Sequence, residues 1–107
     1  MHHVTAPELA QWLGDPSRTA PFLLDVREPA EYQTCHLDNS VLIPMRTIPT
    51  RLAELDAERE IVCICHHGGR SMQVAAFLEH NGFAHVTNLT GGVHAWSKQV
   101  DPGMPTY

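Results

Sequence analysis

"IVCICHHGGRS", residues 61–71, joins an apolar run ending in a cysteine to two histidines, two glycines, an arginine and a serine. A short, continuous apolar run suits a strand buried on both faces, as in a parallel sheet covered by helices. Cys65 then stands at the carboxyl end of that strand, and Gly68 and Gly69 allow the loop backbone conformations that other residues avoid. Successive N–H groups in such a loop converge on an anion, and a helix beginning near Ser71 adds its positive end. Both effects favour the thiolate, the form that attacks, so the stretch reads as an activated nucleophile in an anion cradle. Arg70 adds a fixed positive charge suited to an oxyanion. Ser71 either caps the helix, donates its hydroxyl to the sulfur, or does both.

The flanking chain repeats one pattern. Downstream, "SMQVAAFLEHNGF" (71–83) sets Val74, Ala75, Phe77 and Leu78 on one helical face and stops at Asn81-Gly82. "HVTNL" (85–89) is a strand, "TGG" a turn and "VHAWSKQV" (93–100) a last short helix before the tail "DPGMPTY". Upstream, "TIPTRLAELDAE" (47–58) places Ile48, Leu52 and Leu55 on one face of an expected helix. "VLIP" from Val41 is a strand that Pro44 ends, and "FLLDV" (22–26) is another, followed by a short helix around Pro29 to Tyr32. At the start, a short strand precedes a helix capped by Thr5, with Pro7 in its first turn and Glu8 completing a capping box. Strands alternating with helices make βα units, hence an α/β fold with a mainly parallel five-stranded sheet and helices on both faces. Ligands of such sheets bind beyond the carboxyl ends of the strands. "DVRE" (25–28), "PMR" (44–46) and "CHHGGRS" (65–71) emerge there.

Composition sets the limits. A chain of 107 residues, 43% hydrophobic, supports one core, so residues 1–107 are expected to form a single domain with 101–107 as a proline-containing tail. A net charge of −5 supplies no basic field for nucleic acid. Apolar stretches of strand length imply no membrane span and no signal peptide, so a cytoplasmic location is expected. Three cysteines, Cys35, Cys63 and Cys65, are too few for a disulfide framework and fit a reducing compartment.

"CHHGGRS" resembles the active-site loop of rhodanese-type sulfurtransferases. The resemblance extends through "LLDVREPAEY", "CHLDNSVLIP", "RLAEL", "IVCIC", "AAFLEHNGF" and "VTNLTGGVHAW", essentially the whole chain. It implies a rhodanese-like three-layer fold and a reaction in which Cys65 accepts a sulfane sulfur as a persulfide, cradled by His66, His67, Gly68, Gly69, Arg70 and Ser71. It also implies no cofactor and a donor such as thiosulfate, since the Cys-Gly-x-Gly-Val-Thr loop of mercaptopyruvate-using relatives is absent. The acceptor is then cyanide, a small thiol or a protein thiol. Phosphatases and arsenate reductases of related fold resemble a pattern with five residues between cysteine and arginine; here four intervene, and the smaller ring suits sulfur better than phosphate. "CHLDNS" (35–40) departs from the family's usual Gly-His-Ile-Pro-Gly-Ala. The ending "AWSKQVDPGMPTY" resembles rhodanese modules fused behind sulfur-carrier adenylating enzymes, which points to a sulfur-carrier partner protein. A noncatalytic persulfide carrier and an anion-cradle hydrolase are the alternatives.

Other roles follow from position. Asp25 and Arg27 are expected to support the loops, although Arg27 could contact substrate; Arg46 either reaches the pocket mouth or, as a long surface arginine, is simply solvated. Cys63 is expected to pack in the core. Cys35 is placed toward the opposite end of the sheet, against its acting as a resolving thiol for Cys65. No metal is expected: "CICHH" offers several ligands, but neighbours on an extended strand point to opposite faces and no second ligand pair has zinc-like spacing. His66 and His67 either line the mouth, attracting an anionic donor when protonated, or are merely tolerated in the loop.

Overall fold

The structure is a computed structural model and describes residues 1–107. Five short strands, β1 (His2–Val4), β2 (Phe22–Asp25), β3 (Val41–Leu42), β4 (Ile61–Ile64) and β5 (Val86–Leu89), build one sheet in the order β1-β5-β4-β2-β3. Every pairing is parallel. The helices are α1 (Ala6–Leu13), α2 (Pro29–Thr34), α3 (Gly69–His80) and α4 (Gly92–Gln99). The expected α/β architecture is therefore present, with β4 at the centre.

The period-two alternation of the strands sorts the core into two layers. Ile61, Cys63 and Cys65 join Leu24, Val26 and Val86 under α3, with Val74, Ala75 and Leu78. Val62 and Ile64 point the other way, with Leu23 and Leu89, and meet Leu9 and Trp12 of α1 and Val93 of α4. Each fully buried aliphatic side chain contributes about 1.5–3 kcal/mol. All four residues of β4 are buried, so it forms a stiff floor for the loop that leaves it.

The α1 capping box is formed as expected: Glu8 N–H donates to Thr5 Oγ1 at 3.3 Å, and Thr5 N–H donates to Glu8 Oε1 at 2.8 Å. Residues 47–58 differ from expectation. In place of one helix, the chain makes two short 3₁₀ segments, Met45–Thr50 and Leu52–Glu54. Pro49 lies inside the first, where it has no N–H to give and its ring clashes with the preceding turn of an α-helix. The apolar positions are nonetheless used as read, since Ile48, Leu52 and Leu55 all pack on the α3 side of the sheet.

α3 also begins earlier than expected. Its N-cap is Gly68, so Ser71 sits inside the first turn and is not the cap. The six-residue α2 buries none of its side chains. Side-chain contacts tether it instead, among them Tyr32 donating its hydroxyl to the Ser40 carbonyl at 2.6 Å.

Candidate active site

Cys65 follows β4 directly and is 1% exposed, at the base of the loop that runs into α3. The Gly68 N–H donates to its Sγ at 3.1 Å, and Ser71 Oγ lies 3.3 Å from the same sulfur. Ser71 in turn donates to Asn88 Oδ1 at 2.5 Å. A hydroxyl has one proton, so with that proton on Asn88 the sulfur contact is made by the thiol S–H. Once the thiol ionises, the Ser71 proton can turn to the sulfur, giving a thiolate two donors. The unpaired N–H groups of the first turn of α3 lie in the same ring of backbone and favour negative charge there.

The two loop glycines are not equivalent. Gly68 has φ +107°, and a Cβ on it would press on the backbone of Gly91 and Leu89. Gly69 has nothing within 4 Å of a built Cβ and no positive φ, so its expected conformational role is absent.

α4 locks the loop from the other side. Val93 N–H donates to the Cys65 carbonyl at 2.9 Å and His94 N–H to the His66 carbonyl at 3.1 Å. This approach is possible only because residue 92 is glycine: it has φ +57°, and a Cβ would overlap both carbonyl oxygens. Gly92→Ala should therefore destabilise the fold by about 2–4 kcal/mol. It should also slow any reaction at Cys65, a joint loss that urea unfolding beside an activity assay would register.

Asp25 and Arg27 form an ion pair at 0% exposure, with Nη2–Oδ2 at 2.7 Å and Nε–Oδ1 at 2.9 Å. Arg27 also donates to the Cys35 carbonyl at 2.7 Å and to the Tyr107 hydroxyl at 2.9 Å. Its donors are committed within the protein, which suits a supporting role and leaves the guanidinium no substrate contact. Arg46 is 75% exposed and only 3.7 Å from an exposed Glu28 carboxylate, so it is a solvated side chain.

The fixed positive charge of Arg70 is paired within the protein. Both its terminal nitrogens donate to the Glu31 carboxylate of α2, at 2.7 and 2.8 Å. Tyr107 adds its hydroxyl to Glu31 Oε2 at 2.8 Å. The Arg70 pairing is the main reason that the Glu31 pKa falls to about 2 from an ordinary 4.5, against the opposing effect of burial. Stability from this depressed pKa is present above about pH 4.5 and is lost as pH falls through about 2. After allowance for partial exposure, Glu31→Gln should cost about 1–2 kcal/mol at pH 7 and flatten the acid limb of stability. Urea midpoints measured across that acid range check it.

His66 is half-buried, and burial together with neighbouring His67 lowers its pKa below the usual 6.5, against the opposing effect of Glu31. Its surroundings therefore disfavour the positive charge that a protonated His66 would bring to the mouth. Its ring stacks on Tyr107 at 4.0 Å. Cys63 is buried beneath the site, and burial pushes its thiol up to about 12, leaving it an inert core group.

Cys35 lies elsewhere than expected. It sits beside Arg27 at the carboxyl-end side of the sheet, with Sγ 3.9 Å from Nη1. It packs in the layer under α1 and α4, whereas Cys65 belongs to the layer under α3. The premise used against metal binding also changes: His66 and His67 leave the strand, and their rings lie 4.0 Å apart instead of on opposite faces. The largest cleft, about 740 Å³, lies around Phe22, Leu23, Asp38 and Trp96 and contains none of these groups.

Sequence reading missed Glu31, Asn88, His94 and Tyr107. Asn88 alone had a local signal, a polar residue within an otherwise buried strand, which demands a buried partner.

The Rhodanese-like domain family model matches residues 5–99. A protein named Sulfurtransferase from Allochromatium vinosum is 33% identical over 98% of this chain and 94% of its own length. The probable adenylyltransferase/sulfurtransferase MoeZ of Mycobacterium tuberculosis is 38% identical over 97% of this chain. This chain spans 26% of MoeZ and 30% of the Arabidopsis thaliana Rhodanese-like/PpiC domain-containing protein 12, to which it is 43% identical over 79% of its length. Among solved structures, a rhodanese-like domain protein from Staphylococcus aureus superposes with a TM-score of 0.85 at 33% identity, covering 100% of this chain and 99% of that one. Sequence match, full-length superposition and a cysteine loop at the carboxyl end of the central strand agree: the chain belongs to the rhodanese-like domain family.

Proposed function

We propose that this domain is a sulfurtransferase that carries a sulfane sulfur as a persulfide on Cys65, with thiosulfate or a comparable compound as donor. The observation that carries this reading is the sulfur of Cys65 held at the base of a four-residue ring, with the Gly68 N–H and Ser71 Oγ upon it. The thiol first loses its proton to solvent. The thiolate then attacks the outer sulfur of thiosulfate, a new S–S bond forms, and the old one breaks as sulfite departs with the electron pair. The terminal persulfide sulfur carries the negative charge, which the ring's N–H groups and the helix end stabilise. Attack on that sulfur by cyanide or a thiol takes it away and regenerates the Cys65 thiolate.

A protein thiol or a sulfur-carrier protein is the acceptor that the MoeZ-like similarity favours. The three unpaired cysteines suit a reducing compartment such as the cytoplasm. No helix is long and apolar enough to cross a membrane.

The test is turnover of thiosulfate with cyanide, followed as thiocyanate, beside hydrolysis of an aryl phosphate. Thiocyanate formation without phosphate release is expected. Phosphate release without thiocyanate would transfer the site to the hydrolase class.

A further inference from the structure

Beside the sulfur cradle, the fold gathers three imidazoles for which the proposed transfer has no use. His66 and His67 come from the loop, His94 from α4. One ring nitrogen from each lies within 4.8 Å of the others. The ring centroids are 4.0 Å apart for His66 and His67, 4.8 Å for His67 and His94, and 6.0 Å for His66 and His94.

This convergence is built by the backbone. The His94 N–H bond to the His66 carbonyl and the Val93 N–H bond to the Cys65 carbonyl fix α4 against the loop, at the approach that Gly92 alone permits. Tyr107 stacks on the His66 ring at 4.0 Å and 17°, which limits its rotation. The ring nitrogens of the three histidines are not spent on protein partners, in contrast to His36, whose Nδ1 is 2.8 Å from the Tyr32 carbonyl oxygen.

We propose that His66, His67 and His94 form a three-imidazole site for a borderline divalent cation of the zinc type, at the rim of the Cys65 loop. Imidazole nitrogens suit zinc, copper and nickel, whereas magnesium and calcium take oxygen ligands that this cluster lacks. Zinc–nitrogen bonds of about 2.0–2.1 Å at tetrahedral angles require nitrogens about 3.4 Å apart. The present spacing of up to 4.8 Å is wider than that, so binding requires the rings to turn inward, the exposed His67 most freely and the half-buried His66 and His94 by smaller amounts. Three ligands leave a fourth position for water or an anion. Glu31 neutralises Arg70 nearby, so the ion would add positive charge where an anionic sulfur donor approaches.

The experiment is titration of reduced protein with Zn²⁺ against a chromophoric chelator, with Co²⁺ as a spectroscopic probe. Wild type should bind one equivalent and show cobalt bands of nitrogen coordination without thiolate charge transfer. His67→Gln and His94→Gln should each weaken binding by about tenfold or more, a loss that even outer-shell changes commonly cause. Cys65→Ser and the double variant His2→Gln with His3→Gln should bind as wild type does. His67 is exposed, so its variant carries the test even if His94→Gln folds poorly. Absence of a one-equivalent site, or binding that survives both loop-cluster variants, overturns the proposal. So does binding lost with Cys65→Ser or with the amino-terminal pair. Sulfur transfer takes no part in this measurement, so it stands or falls separately from the proposed reaction.

Discussion

Cys65→Ser should lower sulfur transfer on the order of a thousandfold or more while leaving the melting temperature within about 3 °C of wild type. The chemical half of that expectation rests on acidity. A serine hydroxyl is not appreciably ionised at neutral pH, and its oxygen cannot hold a sulfane sulfur as a persulfide does. The structural half rests on the contacts already made by the sulfur. Gly68 N–H and Ser71 Oγ surround the buried thiol with polar partners, so a hydroxyl there finds a donor and an acceptor and is not stranded in the core. Paired measurements of thiocyanate formation and thermal unfolding separate the two halves. A serine variant that lost activity by unfolding would say nothing of the nucleophile, which is why the melting curve is part of the prediction.

Arg27→Met should cost about 3–5 kcal/mol, because it leaves the Asp25 carboxylate charged or forced to protonate at a fully buried position. In a domain of this size that corresponds to a fall in melting temperature of roughly 15–25 °C. The loss has a second component, since Arg27 also ties the Cys35 carbonyl and the Tyr107 hydroxyl to the loop after β2. A double variant, Asp25→Asn with Arg27→Met, should recover part of the loss by removing the stranded charge. Additive losses in the two single variants would mean that the pair is not coupled, against the bidentate geometry.

What could be read from the sequence follows from how far apart the interacting residues lie. β4 and Cys65 were legible because a buried strand and its exit loop are contiguous, and the alternation of Ile61, Cys63 and Cys65 against Val62 and Ile64 is a local property. The partner of Arg70 was not legible. Glu31 is 39 residues away on a six-residue helix that buries no side chain and so leaves no periodic signature. Tyr107 reaches Arg27 across 80 residues, beyond any local pattern. His94 acquires its place beside His66 only through the close approach at Gly92, a backbone fact that glycine permits but does not announce. The 47–58 segment shows the converse: Ile48, Leu52 and Leu55 carry helical spacing, yet Pro49 sets the helix type.

Whether Cys65 carries the persulfide is read by intact mass spectrometry. The protein is reduced, incubated with thiosulfate and passed through gel filtration, beside Cys65→Ser treated identically. Wild type should gain one sulfur atom, absent from the variant and removed by cyanide. An unchanged wild-type mass, with Cys65 shown to be reduced and alkylatable, would contradict loading from thiosulfate, and equal sulfur gain on the Cys65→Ser variant would contradict the assignment of the carrier.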